Sequence, residues 1–333
     1  MQKLKSQYSP APIADLSLEA GETAEVPVEF DGQRLDAVAA QLFDAYSRAR
    51  LKSWIEAGRV KLNGSACLLP RQPLKLGDVL HLLPEATQEV SLKPQDLPLD
   101  VVFADAHLAI INKPAGFTVH PGAGMPDGTL QNALLHHWPR TAEIPRAGLV
   151  HRLDKDTTGL MVVALSEPAH TRLSAMMAAR TVHREYDALV NGQLVSGGTI
   201  NEPMARHPRD RVRMAVVPGG REAVTHYRVA ERFAWHTLLR VQLETGRTHQ
   251  IRVHLAHLKY PVAGDAVYGG DVLRARGSSP ALRAATTAFR RQALHAAQLS
   301  FPHPVSDKPL AFSAPRPADF EALLKALREN PAP

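Results

Sequence analysis

The chain reads as an α+β protein of two domains, a small basic unit followed by a larger domain with a mixed, largely antiparallel sheet and flanking helices. Three observations predict this. Stretches of period-two alternation, such as VHREYDALVNG (182–192) and WHTLLRVQLET (235–245), recur along the sequence and mark half-buried strands. They are intermixed with helical patterns and hairpin signals instead of alternating regularly with helices, which argues against an all-parallel sheet. A polar, proline-bearing stretch at 86–100 separates the two compositions as a linker.

Residues 1–22 mix Ser, Pro, Ala and Glu without periodicity and read as a mobile tail. The first domain spans 23–85. VPVEF (26–30) alternates as a strand and Asp31-Gly32 turns it. Leu35, Val38, Ala39 and Leu42 then fall at the i, i+3, i+4, i+7 spacing of one amphipathic helix. Ser47 can cap a second helix whose apolar face is Leu51, Trp54 and Ile55, with Gly58 ending it. Asn63-Gly64 between two apolar-rich segments is a strong hairpin signal, and Leu80–Leu83 offers a closing strand. Between positions 34 and 61, six cations (Arg34, Arg48, Arg50, Lys52, Arg59 and Lys61) face only Asp36, Asp44 and Glu56. Such an excess suits either phosphate contact or an ordinary solvated face.

The larger domain spans 101–326, leaving 327–333 as a tail. VVFADAHLAIINKPAGFTVHPG supplies two short strands, the second closed by Lys113-Pro114. Asn132–Trp138 reads as a short helix, Leu160–Leu165 as a buried strand, and Pro168–Arg180 as an alanine-rich helix. Arginines 206, 209, 211, 213, 221 and 228 surround the turn Pro218-Gly219-Gly220 and suggest a basic arm or hairpin. Residues 271–287 read as an Ala-, Arg- and Ser-rich excursion. Asp319–Arg328 suits a terminal amphipathic helix, with Phe320, Leu323, Leu324 and Leu327 on one side.

Composition narrows the function classes. The 333 residues carry a formal net charge of +6 and 44% hydrophobic residues, enough for a sizeable core. The sequence pI of about 9.5 favours an anionic partner, nucleic acid before a membrane surface. No apolar run approaches the ~20 residues that span a bilayer, and the expected compartment is the cytoplasm. The single Cys67 rules out an internal disulfide and a Cys-rich zinc site, and is expected to be a buried bystander.

The densest chemistry lies in GLVHRLDKDTTGLMVVAL (148–165), where His151, Arg152, Asp154, Lys155 and Asp156 immediately precede an apolar strand. A charged loop on a rigid element is where function concentrates, although a solvated turn with ordinary ion pairs has the same composition. The chain lacks GxGxxG, GxxxxGK[ST], HExxH and GxSxG motifs. His249, His254 and His257 have neither an interleaved carboxylate nor a spacing that aligns them on one helical face, so they read as structural or contact residues. What remains is a carboxylate-centred site that needs no metal or other cofactor. An aspartate acts as nucleophile or general base when a cation orients it. Two strand segments supply candidates: Arg184–Tyr186 offers a phenol that can pack on a base or relay a proton, and Gly246–Arg252 offers Arg247 and Arg252 beside Gln250.

Four blocks, INKPAG (111–116), HRLDKDTTGL (151–160), REY (184–186) and TGRTHQIRVH (245–254), occur in the order and approximate spacing of one family. With the PGAG turn (121–124) and RQALHA (291–296), they make the chain, from about residue 25 onward, resemble the RluA/RluD-type pseudouridine synthases. The layout around YSRARLKSWIEAGRVKLNG (46–64) likewise resembles the αL-type RNA-binding domain named after a small-subunit ribosomal protein and found also in tyrosyl-tRNA synthetase. Carried over by position, the resemblance implies that Asp154 is the essential aspartate, Tyr186 the active-site tyrosine, and Arg252 the basic residue that pairs with the aspartate. It implies that Arg152 takes the place of the extruded nucleotide base, and that Lys113 and Asp156 support the loops. Substrate contacts are expected from Arg152, Arg247, His249 and Gln250, and from Arg34, Arg48, Arg50, Lys52, Arg59 and Lys61 of the small domain.

The implied reaction isomerises uridine to pseudouridine in large-subunit ribosomal RNA, in a stem-loop at the subunit interface. The base is flipped out of its stack, at a cost of a few kcal/mol that is smallest in loops. The residues leave open whether Asp154 attacks C1′, attacks C6 of the ring or removes a proton at C2′. The expected partner is ribosomal RNA bound by a monomer. The same isomerase on transfer RNA, and an RNA-binding assembly factor without chemistry, are the alternatives.

Overall fold

The computed structural model describes residues 21–43, 46, 48–84, 93–122, 125–210, 213–269, 272 and 278–330. Asp44, Ala45 and Ser47, the tail up to residue 20, Glu85 and residues 86–92 of the linker, Ala123-Gly124 of the PGAG turn, Arg211 and Val212, most of 270–277 and residues 331–333 lie outside them. The chain divides into two compact units at 91/92.

In the first unit, β1 (Glu22–Glu25), β2 (Val60–Leu62), β3 (Ser65–Ala66) and β4 (Val79–Leu82) form an antiparallel sheet in the order β1-β4-β2-β3. Helices α1 (Leu35–Leu42) and α2 (Arg48–Glu56) cover it, burying Leu35, Val38, Leu51, Trp54 and Ile55 against Val26, Val60, Leu80 and Leu82. The hairpin forms where expected, because Asn63 and Gly64 both adopt the positive φ that a two-residue turn demands (50° and 84°). The first strand does not. It precedes VPVEF, whose Val28–Phe30 instead form a 3-10 turn, since Pro27 has no N–H to donate to a ladder. Cys67 is half-buried, its Sγ donating to the Leu69 carbonyl, and is not the fully buried residue expected.

The second unit is built on strands β5 (Val101–Ala104), β6 (Leu108–Lys113), β7 (Thr158–Ala164), β8 (His183–Asn191), β9 (Gly198–Asn201), β12 (Val224–Arg232), β13 (His236–Leu243), β14 (Leu294–Pro302) and β15 (Pro309–Ser313). Their order is β5-β6-β7-β14-β8-β13-β12-β9, with β15 also pairing β14. Among the described residues only β7 and β14 run parallel; every other pair is antiparallel. The basic segment forms a separate hairpin of β10 (Met204–Arg206) and β11 (Met214–Val216). Among the described residues five α-helices accompany the sheet: α3 (Leu130–His137), α4 (Glu167–Ala178), α5 (Gln250–His257), α6 (Pro280–Ala288) and α7 (Ala318–Arg328).

Strand β7 explains its own unbroken apolar sequence. Met161 and Val163 pack into a cluster with Leu134 of α3, Ile251 and Leu255 of α5 and Phe320 of α7, whereas Leu160 and Val162 pack on the opposite face with Leu173 of α4. A strand covered on both faces has no polar side to alternate. Gly159 lets β7 approach β14: a Cβ there would lie 2.2 Å from the Ala296 carbonyl oxygen, at a φ of +110°.

Three expectations are corrected here. Gly246–Arg252 is not a strand but a loop entering α5, because Ile251 and Leu255 have the i, i+4 spacing of a helix face. The excursion at 271–287 ends in α6, capped by Ser279, whose Oγ accepts from the Leu282 N–H at 3.1 Å. Helix α7 continues through Arg328, so the tail starts after it and not at 327.

Candidate active site

The loop between His151 and Thr157 is fastened from three sides before it presents any chemistry. Within it, the Thr157 N–H donates to the Asp154 carbonyl at 3.1 Å, closing a turn. From the first motif, Lys113 is completely buried and donates to the carbonyls of Pro114, Phe117 and Lys155 at 2.7, 3.0 and 2.8 Å. Burial pulls its pKa down to about 8, against the charges of Asp156 and Asp154. From the approach to β14, Arg291 donates to the Asp156 carbonyl at 3.3 Å and Gln292 to the Thr157 hydroxyl at 3.1 Å. Asp156 thus serves the loop through its main chain, as its expected supporting place suggests.

Asp154 points the other way. Its Oδ2 accepts from Arg252 Nη1 at 2.9 Å, across 98 residues of sequence. The far side of the Arg252 guanidinium is clamped by Asp265, with Nε to Oδ2 at 2.6 Å and Nη2 to Oδ1 at 2.9 Å. Arg252 is 5% exposed and Asp265 1%. Burial opposes the arginine's charge, but the hydrogen bonds and charges of Asp265 and Asp154 raise its pKa above the ordinary value. Asp265 is itself fixed by the N–H groups of Val267 and Tyr268 at 3.0 and 3.3 Å. A buried carboxylate therefore orients an arginine that orients Asp154.

Tyr186 and His249 complete the surroundings. Tyr186 lies on β8 opposite Val241 and Ala296, almost fully buried, and its hydroxyl has no hydrogen-bond partner among the described residues. Burial raises its pKa, with Asp154 adding and the Arg184 charge subtracting, so it presents a neutral phenol. His249 adopts a positive φ of 58° at the start of α5. Its Nδ1 is 2.8 Å from the Tyr268 hydroxyl, which itself accepts from the Met214 N–H at 2.9 Å. That leaves the tyrosine proton for Nδ1 and turns Nε2–H toward Asp154 Oδ1, 3.9 Å away.

One cleft of about 400 Å³ is lined by Arg152, Asp154, Tyr186, Arg247, His249, Gln250 and Arg252, so the residues expected from three separate motifs converge. Arg152 is exposed and makes no hydrogen bond or ion pair among the described residues. Gln250 differs from its expected place as a substrate contact. Its amide accepts from the Thr245 hydroxyl and the Arg247 N–H (2.8 and 2.9 Å) and donates to the Val224 carbonyl and Thr225 hydroxyl (3.0 Å each), which commits it to holding the loop.

The cations of the small unit lie within that unit. Arg34 and Arg48 both hold the buried Asp36, Arg50 lies 5.0 Å over the Trp54 ring, and Lys52 pairs Glu56 at 3.6 Å. Arg59 and Lys61 flank the start of β2.

Asp265, Tyr268 and Arg184 are site residues that sequence reasoning did not single out. The only local signal for Asp265 is its position after Gly264, where a Cβ would lie 2.1 Å from the Arg291 carbonyl oxygen.

Residues 107–257 match the family model described as RNA pseudouridylate synthase, and residues 33–80 match the S4 domain. The protein from Xanthomonas campestris pv. campestris called "Ribosomal large subunit pseudouridine synthase D" is 53% identical over 309 residues, covering 93% of each chain. Its namesake from Escherichia coli K12 is 50% identical over 308 residues, 92% of this chain and 94% of its own. Among solved structures, "Human RNA Pseudouridylate Synthase Domain Containing 4" superposes with a TM-score of 0.54 at 26% identity, over 68% of this chain and 92% of its own. No helix of the described residues is long and apolar enough to cross a membrane. With half of its residues shared along nearly the full length of such relatives, the chain belongs to the RNA pseudouridine synthase family, isomerases that act on RNA.

Proposed function

We propose that this enzyme converts uridine to pseudouridine in large-subunit ribosomal RNA, acting in the cytoplasm as a monomer, with Asp154 as its essential aspartate. The single observation carrying the site assignment is the Asp265–Arg252–Asp154 relay, which aims one carboxylate into a cleft. The ribosomal target rests on the names of relatives that share half of this sequence.

In the reaction the N1–C1′ bond breaks, the uracil turns, and C5 bonds to C1′. The C5 proton leaves and N1 gains one, so no atoms are added overall. Asp154 does the bond chemistry beside the turning ring. Arg252 supplies a counter-charge that fixes which oxygen faces it, and Tyr186 forms an aromatic wall on which a flipped base stacks. Arg152, exposed and without a partner among the described residues, fills the gap that the base leaves in the RNA stack. Arg247 and His249 meet the nucleotide at the cleft edge, while the cations of the S4 domain, Arg34, Arg48, Arg50, Lys52, Arg59 and Lys61, hold the RNA backbone without reading its sequence.

The test pairs chemistry with target. Asp154→Asn preserves shape but removes the carboxylate, and is expected to abolish tritium release from C5-labelled RNA while RNA binding persists. Cells lacking the chain should lose pseudouridines from large-subunit RNA and regain them with the parent gene only. Turnover by Asp154→Asn would overturn the site assignment. Intact ribosomal modification with pseudouridine lost from transfer RNA would move the target.

A further inference from the structure

Arg184 is the conspicuous unused charge of the cleft. Its side chain shares a face of β8 with that of Tyr186 two residues on, and it is 7% exposed. Among the described residues its guanidinium has no hydrogen bond and no ion pair, and its Nε is sealed from water without a partner. The adjacent Glu185 offers no relief: it sits on the other face of the strand, engaged by Arg228 at 3.1 Å and Arg240 at 3.5 Å. Buried arginines elsewhere in this unit are paired, Arg252 with two aspartates and Arg291 with Asp319. A buried charge without a counter-group is unfavourable for folding, and such residues are retained where a ligand completes them.

The surroundings show where that ligand would lie. Arg184 lines the same cleft as Asp154 and Tyr186, and its Nη1 lies beneath Gly246, at 3.0 Å from where a Cβ would stand. The glycine keeps the space above the guanidinium open. The position is deep, beside a tyrosine that is 5% exposed, so the group that reaches it is the flat base of a flipped nucleotide and not a hydrated phosphodiester.

We propose that Arg184 is a further substrate-contacting residue, whose guanidinium donates to a carbonyl oxygen of the flipped uracil and stabilises the negative charge that this oxygen takes up when the N1–C1′ bond is broken. The inference rests on the site assignment proposed above. When that bond breaks, its electron pair stays with the uracil and spreads onto O2 and O4. Addition of Asp154 at C6 pushes a pair onto O4. In each route the ring oxygens become more anionic, and the charge is withdrawn as C5 bonds to C1′ and gives up its proton. A fixed cation aimed at the developing charge, in a site that water hardly reaches, is the arrangement that lowers such a barrier.

The test uses the full chain and a stem-loop RNA with tritium at C5 of the target uridine. Arg184→Met keeps the length and removes the charge. It is expected to slow single-turnover tritium release by about 10²-fold, the usual loss on removing one such donor. Arg184→Lys should recover part of that rate. Because the free enzyme loses only an unpaired charge, the melting temperature of Arg184→Met should stay level or rise, the reverse of what removing a structural arginine does. Replacing O2 or O4 of the target uridine with sulfur, a weaker acceptor, should slow the parent, and for the contacted oxygen should slow Arg184→Met no further.

A rate within threefold of the parent would overturn the proposal, as would a large fall in melting temperature. A salt slope of RNA binding lowered by about 0.7 with the saturated rate retained would reassign Arg184 to a phosphate. Asp154→Asn separates the two levels. If it stays active, the site assignment itself fails; if it is dead while Arg184→Met turns over normally, only the role of Arg184 fails.

Discussion

Removing the carboxylate of Asp265 tests whether the aim of Asp154 is set from behind. Asp265→Asn keeps the shape but withdraws one negative charge from a guanidinium that is almost sealed from water, and places an amide N–H group against the arginine's own donors. Breaking a buried pair on one side costs about 3–5 kcal/mol. Arg252 keeps Asp154 as a second counter-charge at 2.9 Å, which puts the expected loss near the lower bound, about 3 kcal/mol. For a unit of this size, each kcal/mol moves the melting temperature by about 2–4 °C, so a fall of about 6–12 °C is expected by calorimetry. The freed Arg252 shifts toward Asp154, and single-turnover tritium release should fall by about 10–100-fold, in keeping with a misplacement near 1 Å. Arg252→Met and the double variant close a thermodynamic cycle. The two changes should be non-additive, since both report on one pair. Additive losses, or an Asp265→Asn melting temperature within 1 °C of the parent, would refute the relay.

Two further outcomes follow from the same structure. Gly159→Ala forces a methyl group to within 2.2 Å of the Ala296 carbonyl oxygen at an unfavourable φ, so β7 and β14 must separate. A loss of at least about 3 kcal/mol in urea unfolding is expected, in the range of overpacked core sites, and a value under 1 kcal/mol would mean that this parallel pairing is slack. Acid sensitivity should come from two neutral histidines. Burial lowers His151 to about 3 and His236 to about 4 from the ordinary 6.5, with the Arg184 charge adding to the effect at His151. The unfolded chain therefore takes up their protons first, and the stability they contribute, full above pH 6.5, drains away as pH falls toward 3–4. By pH 5 each has lost on the order of 2 kcal/mol. His236→Leu, which also removes two unpartnered ring nitrogens, should flatten the stability–pH slope between pH 6.5 and 5 by about one proton. An unchanged slope would show that His236 titrates normally.

Local chemistry carried much of the fold into the sequence. The Asn63-Gly64 turn, the alternating strand at 183–191 and the terminal helix are visible because turn φ values and side-chain periodicity depend on a few neighbouring residues. VPVEF misleads for the same reason. Its alternation is genuine, but Pro27 cannot pair, and Val26 instead donates to the Asp78 carbonyl, 52 residues away. Gly246–Arg252 is misread because a short apolar run is ambiguous between strand and helix until the helix that follows is seen to bury Ile251 and Leu255.

The candidate site divides along a similar line. By itself the sequence determined that a charged loop with Asp154 precedes a buried strand, and its motifs, in their order, singled out Tyr186 and Arg252 as the residues expected to stand with it; the structure brings Arg252 to Asp154 at 2.9 Å. Only the tertiary structure decided that Asp265 stands behind Arg252, that Gln250 is consumed in bracing its own loop, and that the Arg184 guanidinium has no partner among the described residues. The physical reason is that charge pairing depends on distance in space. The crossover that sets β14 between β7 and β8 decides which of many similar arginines and aspartates meet, and no local pattern along the chain records it.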